Sequence, residues 1–584
     1  MERPPFEAPA PERRKLGLAL SGGGFRAAFF HVGVLAQMGA LGLLRHVEVL
    51  STVSGGSIIG ALYYLHLKRL LEAKADDEIR DQDYLDIVAR IEVDFLTGVQ
   101  RNIRLRTFSN PLKNLRMAFA NYSRSDHIGE LYDKYFYRSI FETGRSRPIE
   151  MRELKIQPKG GKEDFSPLKD NAGRLNKVPI ILINATTLNT GHNWRFEAVR
   201  MGEPPLDSSV QQEIDKKVRL RRPESYDKII RKQQNIELGL AVAASACVPA
   251  LFPPLAISGL YPKGIRVQLV DGGVHDNQGV QGLLEMKCTR LVISDAAGQM
   301  EDEADPPTQT FKVLNRSNSI LMDRVREEEL CTLLQNPNLD VAFMHLRKGL
   351  YGEAISWLDP DGKPAEADKI ERKPKDSSKS FGVRESVQDL LSHIRTDLDS
   401  FTDVEAYSLM LDGYNMSRQE LTQAAATKDM IAAAESLPQW HFLEIKDYLL
   451  DPSEEYLLQL RVASQKLFKI FRLSRAVRAI TALLVGFLVA GLWIWLGDAF
   501  QEGLEWLGDY IGYVLGMLAL MAVGLFLPRL SRRINSVRYV LMPSEWLFRL
   551  VVRAIIPALG SAVVWLQLRI FDPLFLRRGK VKNL

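Results

Sequence analysis

The sequence predicts an α/β protein with a mostly parallel central sheet covered by helices on both faces. Three observations carry that reading. Short apolar strands alternate with helical stretches: LGLAL before a helix over about 25–41, then VEVLSTV before a helix over about 58–71. Each strand enters its helix through a glycine turn, SGGG and then SGGS. Apolar strands recur downstream at 178–188 (VPIILINATTL), at 266–270 and from Leu291 (LVISDAA).

Taken in order, the first fourteen residues (MERPPFEAPAPERR) are Pro-rich and charged, and are expected to form a disordered arm with no apolar signal segment. The strand, turn and helix units then build a catalytic-type domain over about 15–346. Within it, 73–177 loosens into charged helices and a polar stretch (QPKGGKEDFSPLKDNAGRLNK), predicting an insertion at the surface. Residues 237–246 predict a helix stopped near Pro249. A Pro-, Asp- and Lys-rich loop over 348–379 opens an extension, 347–465, with helices expected over 385–411 and 418–434. No internal repeat is present.

Composition bounds the function. With 584 residues, 46% hydrophobic and 25% charged, the chain has a sizeable core and is not a disordered or collagen-like polymer. Cys247, Cys288 and Cys331 lie far apart with no Cys-x-x-Cys spacing, which argues against a disulfide framework or structural zinc and for a reducing compartment. The net charge of +5 is uneven. Residues 466–584 hold 16 Lys+Arg against 6 Asp+Glu, net +10, leaving 60 against 65, net −5, for the rest. The basic fifth also holds the longest apolar runs, so its expected partner is an anionic lipid surface and not nucleic acid.

Two glycine turns carry the chemistry. Gly22, Gly23 and Gly24 end the first strand with Arg26 in the next helical turn. Backbone N–H groups can crowd an anion there, as a phosphate cradle, an oxyanion hole or a plain tight turn. Neither a nucleotide P-loop nor a G-x-G-x-x-G pattern is present. In the second turn Ser54 sits between a β-branched strand and a helix, flanked by Gly55 and Gly56. That is the setting of a strained elbow with an exposed hydroxyl, and it favours Ser54 as nucleophile over Ser57, a cap or packing residue. Asp271, before Gly272 and Gly273 at a strand end, is the candidate base. His275 and Asp276 are too close to it in sequence to complete a triad with Ser54.

Three motifs in order, LALSGGGFRAAFFHVGVL, STVSGGSIIGAL and QLVDGGVHDNQGV, resemble the patatin-like phospholipase family, related to cytosolic phospholipase A2 catalytic domains. ASACVPALFPP and INATTLNTG resemble further family segments, and the likeness spans about 15–346. It implies a three-layer α/β/α sandwich and a Ser-Asp dyad of Ser54 and Asp271. By position it puts Gly22, Gly23 and Gly24 on the oxyanion loop, Gly55 and Gly56 in the elbow, and Arg26 where it could orient a lipid phosphate or stand as a surface charge. It requires no metal or cofactor. The pattern departs at Thr52, where the elbow's first glycine is expected. The implied activity is lipid acyl hydrolysis of phospholipase A or lysophospholipase type. A neutral-glyceride lipase, a transacylase and a silent scaffold of the same fold remain open.

The last region predicts a membrane anchor. Residues 479–497 and 510–527 lack charges and as helices would each span about 27 Å. Lys466, Lys469, Arg472, Arg475 and Arg478 precede the first run and Arg529, Arg532 and Arg533 follow the second. The connecting loop carries only Asp498, Glu502, Glu505 and Asp509, with Trp493, Trp495 and Trp506 at one interface. A transmembrane hairpin with both ends and the catalytic domain cytoplasmic is expected. The shorter run 554–568, with Pro557, is expected to lie in the interface.

Overall fold

The computed structural model describes residues 14–117, 122–140, 145–204, 220, 223–249, 251–298, 300, 303–350, 357–363, 379–432, 434, 436–466, 469–484, 486–487, 490, 561 and 563–584. The predicted N-terminal arm up to residue 13, most of the 348–379 loop, about half of the first predicted membrane run (479–497) and all of the second (510–527) therefore lie outside the described residues.

Apolar β-branched runs form the sheet, and its first two strands read as the sequence suggests. Strand β1 (Leu16–Leu20) leads to helix α1 (Gly24–Ala40), and β2 (Val47–Val53) to α2 (Gly55–Ala73). After α3 (Asp81–Val99) and α4 (Arg124–Tyr132), the chain returns to the sheet in β3 (Ile180–Thr187), β4 (Asn193–Phe196), β5 (Arg200–Gly202) and β6 (Glu224–Ser225). Helix α5 (Leu238–Ser245), β7 (Leu255–Ser258), β8 (Arg266–Asp271), α6 (Val280–Glu285), β9 (Arg290–Asp295), α7 (Thr310–Gln335) and β10 (Asp340–His345) follow.

The sheet order is β10-β9-β1-β2-β3-β4-β5-β6, with β8 paired to β3 and β7 to β8. From β10 to β3 every pairing is parallel, whereas β4 and β8 run antiparallel to β3. The expected mostly parallel sheet is thus a mixed one. Register explains what the antiparallel part achieves. On one edge of β3, Val49–Val53 of β2 pair with Ile180–Asn184, and Asp271 then pairs with Ala185. Strands β2 and β8 therefore meet head-on, C-terminus to C-terminus, along one edge.

Two expectations about organisation are corrected. The stretch 73–177 is a surface insertion only in part: its polar end, 157–177, is mostly exposed, but its helices enter the core. Helix α3 shows charge outward but buries Tyr84, Leu85, Val88, Ile91 and Phe95 at helical spacing, and Ile128, Tyr132 and Phe136 join the same core. Nor is 385–411 one helix. It breaks into α8 (Glu385–Ser392) and α9 (Asp403–Gln423), and 418–434 is not a helix of its own, because α9 ends at Gln423. The break has a local cause: Thr402 and Glu405 form a capping box, Thr402 N donating to Glu405 Oε2 at 2.7 Å and Glu405 N to Thr402 Oγ1 at 3.2 Å.

The described chain falls into two compact units, one from Met1–Thr107, Ser123–Lys466 and Leu576–Leu584, the other from Phe108–Tyr122 and Leu467–Phe575. In the first, the tail is tied down: Val404 N donates to Gly579 O (3.1 Å), and Arg578 and Lys580 pair with Glu455 and Asp403. In the second, Phe471 packs on Phe571 and Lys469 lies over Phe575, while Ile480, Leu483, Leu484, Phe487, Val563 and Trp565 are exposed. No helix among the described residues is long and apolar enough to cross a membrane.

Candidate active site

The head-on meeting of β2 and β8 brings the two ends of the predicted dyad together. Ser54 follows β2 directly and adopts φ 50°, ψ −114°, a positive φ that a side-chain-bearing residue occupies only where its surroundings impose it. Helix α2 begins at Gly55, earlier than the periodicity suggests, so the turn is as sharp as an elbow requires. Its glycines are steric necessities. A Cβ on Gly55 would lie 2.0 Å from Gly24 O, and one on Gly56 2.2 Å from Leu20 O.

Asp271 ends β8, and its carboxylate accepts a hydrogen bond from Gly273 N (2.8 Å), with the Ser54 side chain near enough to act on it electrostatically. Burial pushes its pKa from the usual carboxylate range up to about 6, the Gly273 N–H bond and the nearby Ser54 side chain opposing that rise. Its backbone is pinned too, with its N–H on Cys247 O (2.9 Å) and its carbonyl accepting from Thr186 Oγ1 (2.9 Å). Both groups are buried.

The glycine-rich loop needs one correction. Gly22 N–H donates to Asn277 O (3.0 Å), so it is not an oxyanion donor. Gly23 (φ 132°) and Gly24 (φ 60°) hold conformations that L side chains rarely adopt, and no backbone acceptor takes their N–H groups among the described residues. Arg26 is corrected as well. It is neither a phosphate ligand nor a surface charge, but a buried brace whose Nη1 donates to Ser392 O (2.8 Å) and Ile394 O (2.9 Å) and whose Nη2 donates to Ala296 O (3.0 Å). Helical position cannot reveal this, because the carbonyls belong to segments distant in sequence.

His275 bonds Gln281 Oε1 (2.8 Å) within its own segment, and Asp276 accepts from the backbone N–H of Gln278, Gly279 and Gln281. Neither reaches Ser54. Sequence reasoning missed Tyr132, a buried phenol within electrostatic reach of Asp271 and Cys247, because it falls in the stretch read as an insertion. It also missed Asn184, whose Nδ2 donates to Ser51 Oγ and Thr52 O and whose Oδ1 accepts from Asn193 and Arg195, locking β2 to β3 beside the elbow. Among the described residues no cluster could hold a metal ion.

Residues 18–284 match the family model described as patatin-like phospholipase. No curated protein matches the chain. Among solved structures, a crystal structure of VipD from Legionella pneumophila is similar at 12% identity over 97% of this chain and 86% of that one, and human GIVD cytosolic phospholipase A2 at 13% over 70% and 59%. Both have a TM-score of 0.27, too faint a likeness to bear on fold or function.

Proposed function

Residues 18–284 being a patatin-like phospholipase domain, which implies lipid hydrolase activity, we propose that this chain is a lipid acyl hydrolase of phospholipase A or lysophospholipase type using Ser54 and Asp271 as a dyad. The observation that carries the reading is the head-on meeting of β2 and β8, which sets Ser54, held at a positive φ, beside the buried Asp271 carboxylate.

Ser54 Oγ attacks the ester carbonyl as Asp271 takes its proton. Charge developing on the carbonyl oxygen meets the N–H groups of Gly23 and Gly24, one such donor being worth about 3 to 4 kcal/mol of barrier. Asp271 returns the proton to the leaving alcohol or lysolipid, leaving an acyl-serine. Water, deprotonated by Asp271, then releases the fatty acid. The direct test is a fluorophosphonate probe on the full chain together with hydrolysis of phospholipid liposomes. We expect a single adduct on Ser54 that blocks fatty-acid release; fatty-acid release with Ser54 unmodified and inhibitor-insensitive sinks the reading.

The pH dependence follows from the same carboxylate. Catalysis needs Asp271 ionised, so kcat/KM rises with pH along an acid limb centred near 6. A limb near pH 4 would show that burial does not control the base.

We further propose that the enzyme sits on the bilayer, its substrate and anchor, with the catalytic domain cytoplasmic. Exposed Ile480, Leu483, Leu484, Phe487, Val563 and Trp565 support lipid contact in the second unit. Chain parity sharpens the expected topology. The chain leaves the first unit after Lys466 and rejoins it at Leu576, so any crossings between must be even in number. The two proposed spans are 479–497 and 510–527, with 554–568 proposed to lie in the interface. A cysteine at Glu502, probed with an impermeant thiol reagent, should label only from the side opposite the catalytic domain. Labelling only from the catalytic side refutes the spanning hairpin.

A further inference from the structure

Behind the candidate nucleophile runs a row of buried hydroxyls that the dyad mechanism leaves unused. Ser54 N–H donates to Ser245 Oγ at 2.9 Å. Ser245 Oγ and Ser57 Oγ lie 2.8 Å apart, Ser57 Oγ donates to Thr52 Oγ1 at 3.0 Å, and Thr52 Oγ1 donates to Leu182 O at 3.0 Å. Ser57, Thr52 and Ser245 are wholly buried.

A hydroxyl has one proton to give, and this fixes the direction of every bond. Leu182 O can only accept, so Thr52 donates to it and must receive from Ser57. Ser57's proton is thereby spent, so Ser245 donates to Ser57. That leaves Ser245 a lone pair for the Ser54 amide. Four bonds therefore point one way, from the elbow's backbone to a carbonyl of β3, and none can reverse without leaving a buried proton unpaired. Such chains strengthen cooperatively in a low-dielectric interior.

The chain also accounts for Thr52, the departure from the elbow's first glycine. A glycine there has no hydroxyl, and Ser57's proton would have no acceptor. Room for the threonine comes from α2: a Cβ on Gly60 would fall 2.5 Å from Thr52 Cγ2. Ser54 follows the last residue of β2 and its N–H lies outside the strand ladder, where Ser245, from α5, is the acceptor that meets it.

We infer that Ser245, Ser57 and Thr52 are positioning residues whose one-way hydroxyl chain holds the Ser54 elbow in its reactive turn. The inference rests on the reading of Ser54 as nucleophile. None of the three touches the reacting atoms, so their loss should lower kcat and the rate of fluorophosphonate labelling while leaving KM unchanged.

The test uses the full chain with a soluble monomeric ester. Thr52→Val keeps shape and removes the hydroxyl; Ser245→Ala removes the acceptor; Thr52→Ser restores the donor. We expect kcat to fall about tenfold in Thr52→Val and in Ser245→Ala, the loss of about one buried hydrogen bond. KM should stay within about twofold of wild type, and Thr52→Ser should recover most of the turnover. The double variant should be little worse than Ser245→Ala alone, since both cut one chain. If Thr52→Val does not fold, Ser245→Ala with the Thr52→Ser comparison decides the matter. Full kcat in both Ser245→Ala and Thr52→Val, with Ser54→Ala inactive, overturns the hydroxyl chain and leaves the nucleophile standing. An active Ser54→Ala instead overturns the nucleophile, and the inference with it.

Discussion

Ser54→Ala and Asp271→Asn should each lower ester hydrolysis by about 10⁴-fold or more, and the double variant should be little worse than either, because members of one catalytic unit are strongly non-additive. The two single variants should differ in stability. Burial raises the Asp271 pKa from the usual carboxylate range to about 6, so between those values the folded protein binds more protons than the unfolded chain. Stability from this group therefore falls as pH rises through that window and stays at its lower level above it. Asparagine removes the buried charge and can still accept from Gly273 N, so Asp271→Asn should gain stability above pH 6, by up to about 3 kcal/mol. At pH 8 an inactive Asp271→Asn with a raised midpoint is the expected pairing. Retained turnover breaks the dyad assignment; a lowered midpoint shows that the carboxylate is held by bonds its burial does not outweigh. His275→Ala is the control, because its ring is engaged with Gln281 and should leave turnover near wild type.

The residues of the proposed dyad stand out in the sequence for a reason particular to their motifs. A nucleophile elbow and an Asp-Gly-Gly turn are local structures, each needing small residues at fixed offsets, so SGGS and DGG carry their own geometry. What joins them is not local. That Asp271 reaches Ser54 depends on β8 running antiparallel along β3 and stopping one residue past the end of β2. A reading in which both groups sit at the carboxyl ends of parallel strands brings the same two residues together but mistakes the direction of β8. Arg26 was misread for the same kind of reason, since its charge is satisfied by carbonyls at 296, 392 and 394. Helix α3 was misread because its outward charge hid a stripe of buried apolar residues spaced three and four apart, a pattern available in the sequence. The TDVE capping box at 402–405 was equally available and would have placed the start of α9.

A chain ending at Leu346, just past the last strand of the main sheet, should fail to fold, although it contains every catalytic motif. Residues 392–405 are built against the glycine-rich loop and the start of α1. Phe25 N, in the first turn of α1, donates to Asp397 O (3.1 Å), and a Cβ on Gly24 would lie 2.9 Å from Asp397 N. Helices α1 and α9 cross so closely that a Cβ on Gly33 would fall 1.8 Å from Met410 O and one on Gly413 2.2 Å from Phe30 O. Phe25 and Phe29 both pack against Phe401. Arg395 centres the segment. It is wholly buried over the Phe401 ring and bonds Asp399 Oδ1 (2.7 Å), Glu405 Oε1 (2.5 Å), Ser400 O (2.7 Å) and Ala463 O (2.7 Å). Removing one partner from a buried ion network strands the other charges, which costs about 3 to 5 kcal/mol. Arg395→Met in the full chain should therefore show a loss of that size in denaturant unfolding, and the 1–346 chain should show no cooperative transition and no fluorophosphonate adduct on Ser54. Because the Arg26 and Asp397 contacts reach the loop that carries Gly23 and Gly24, folded Arg395→Met protein should also turn over more slowly. A 1–346 chain that unfolds cooperatively and labels at the wild-type rate would show that the extension merely covers a site able to form without it.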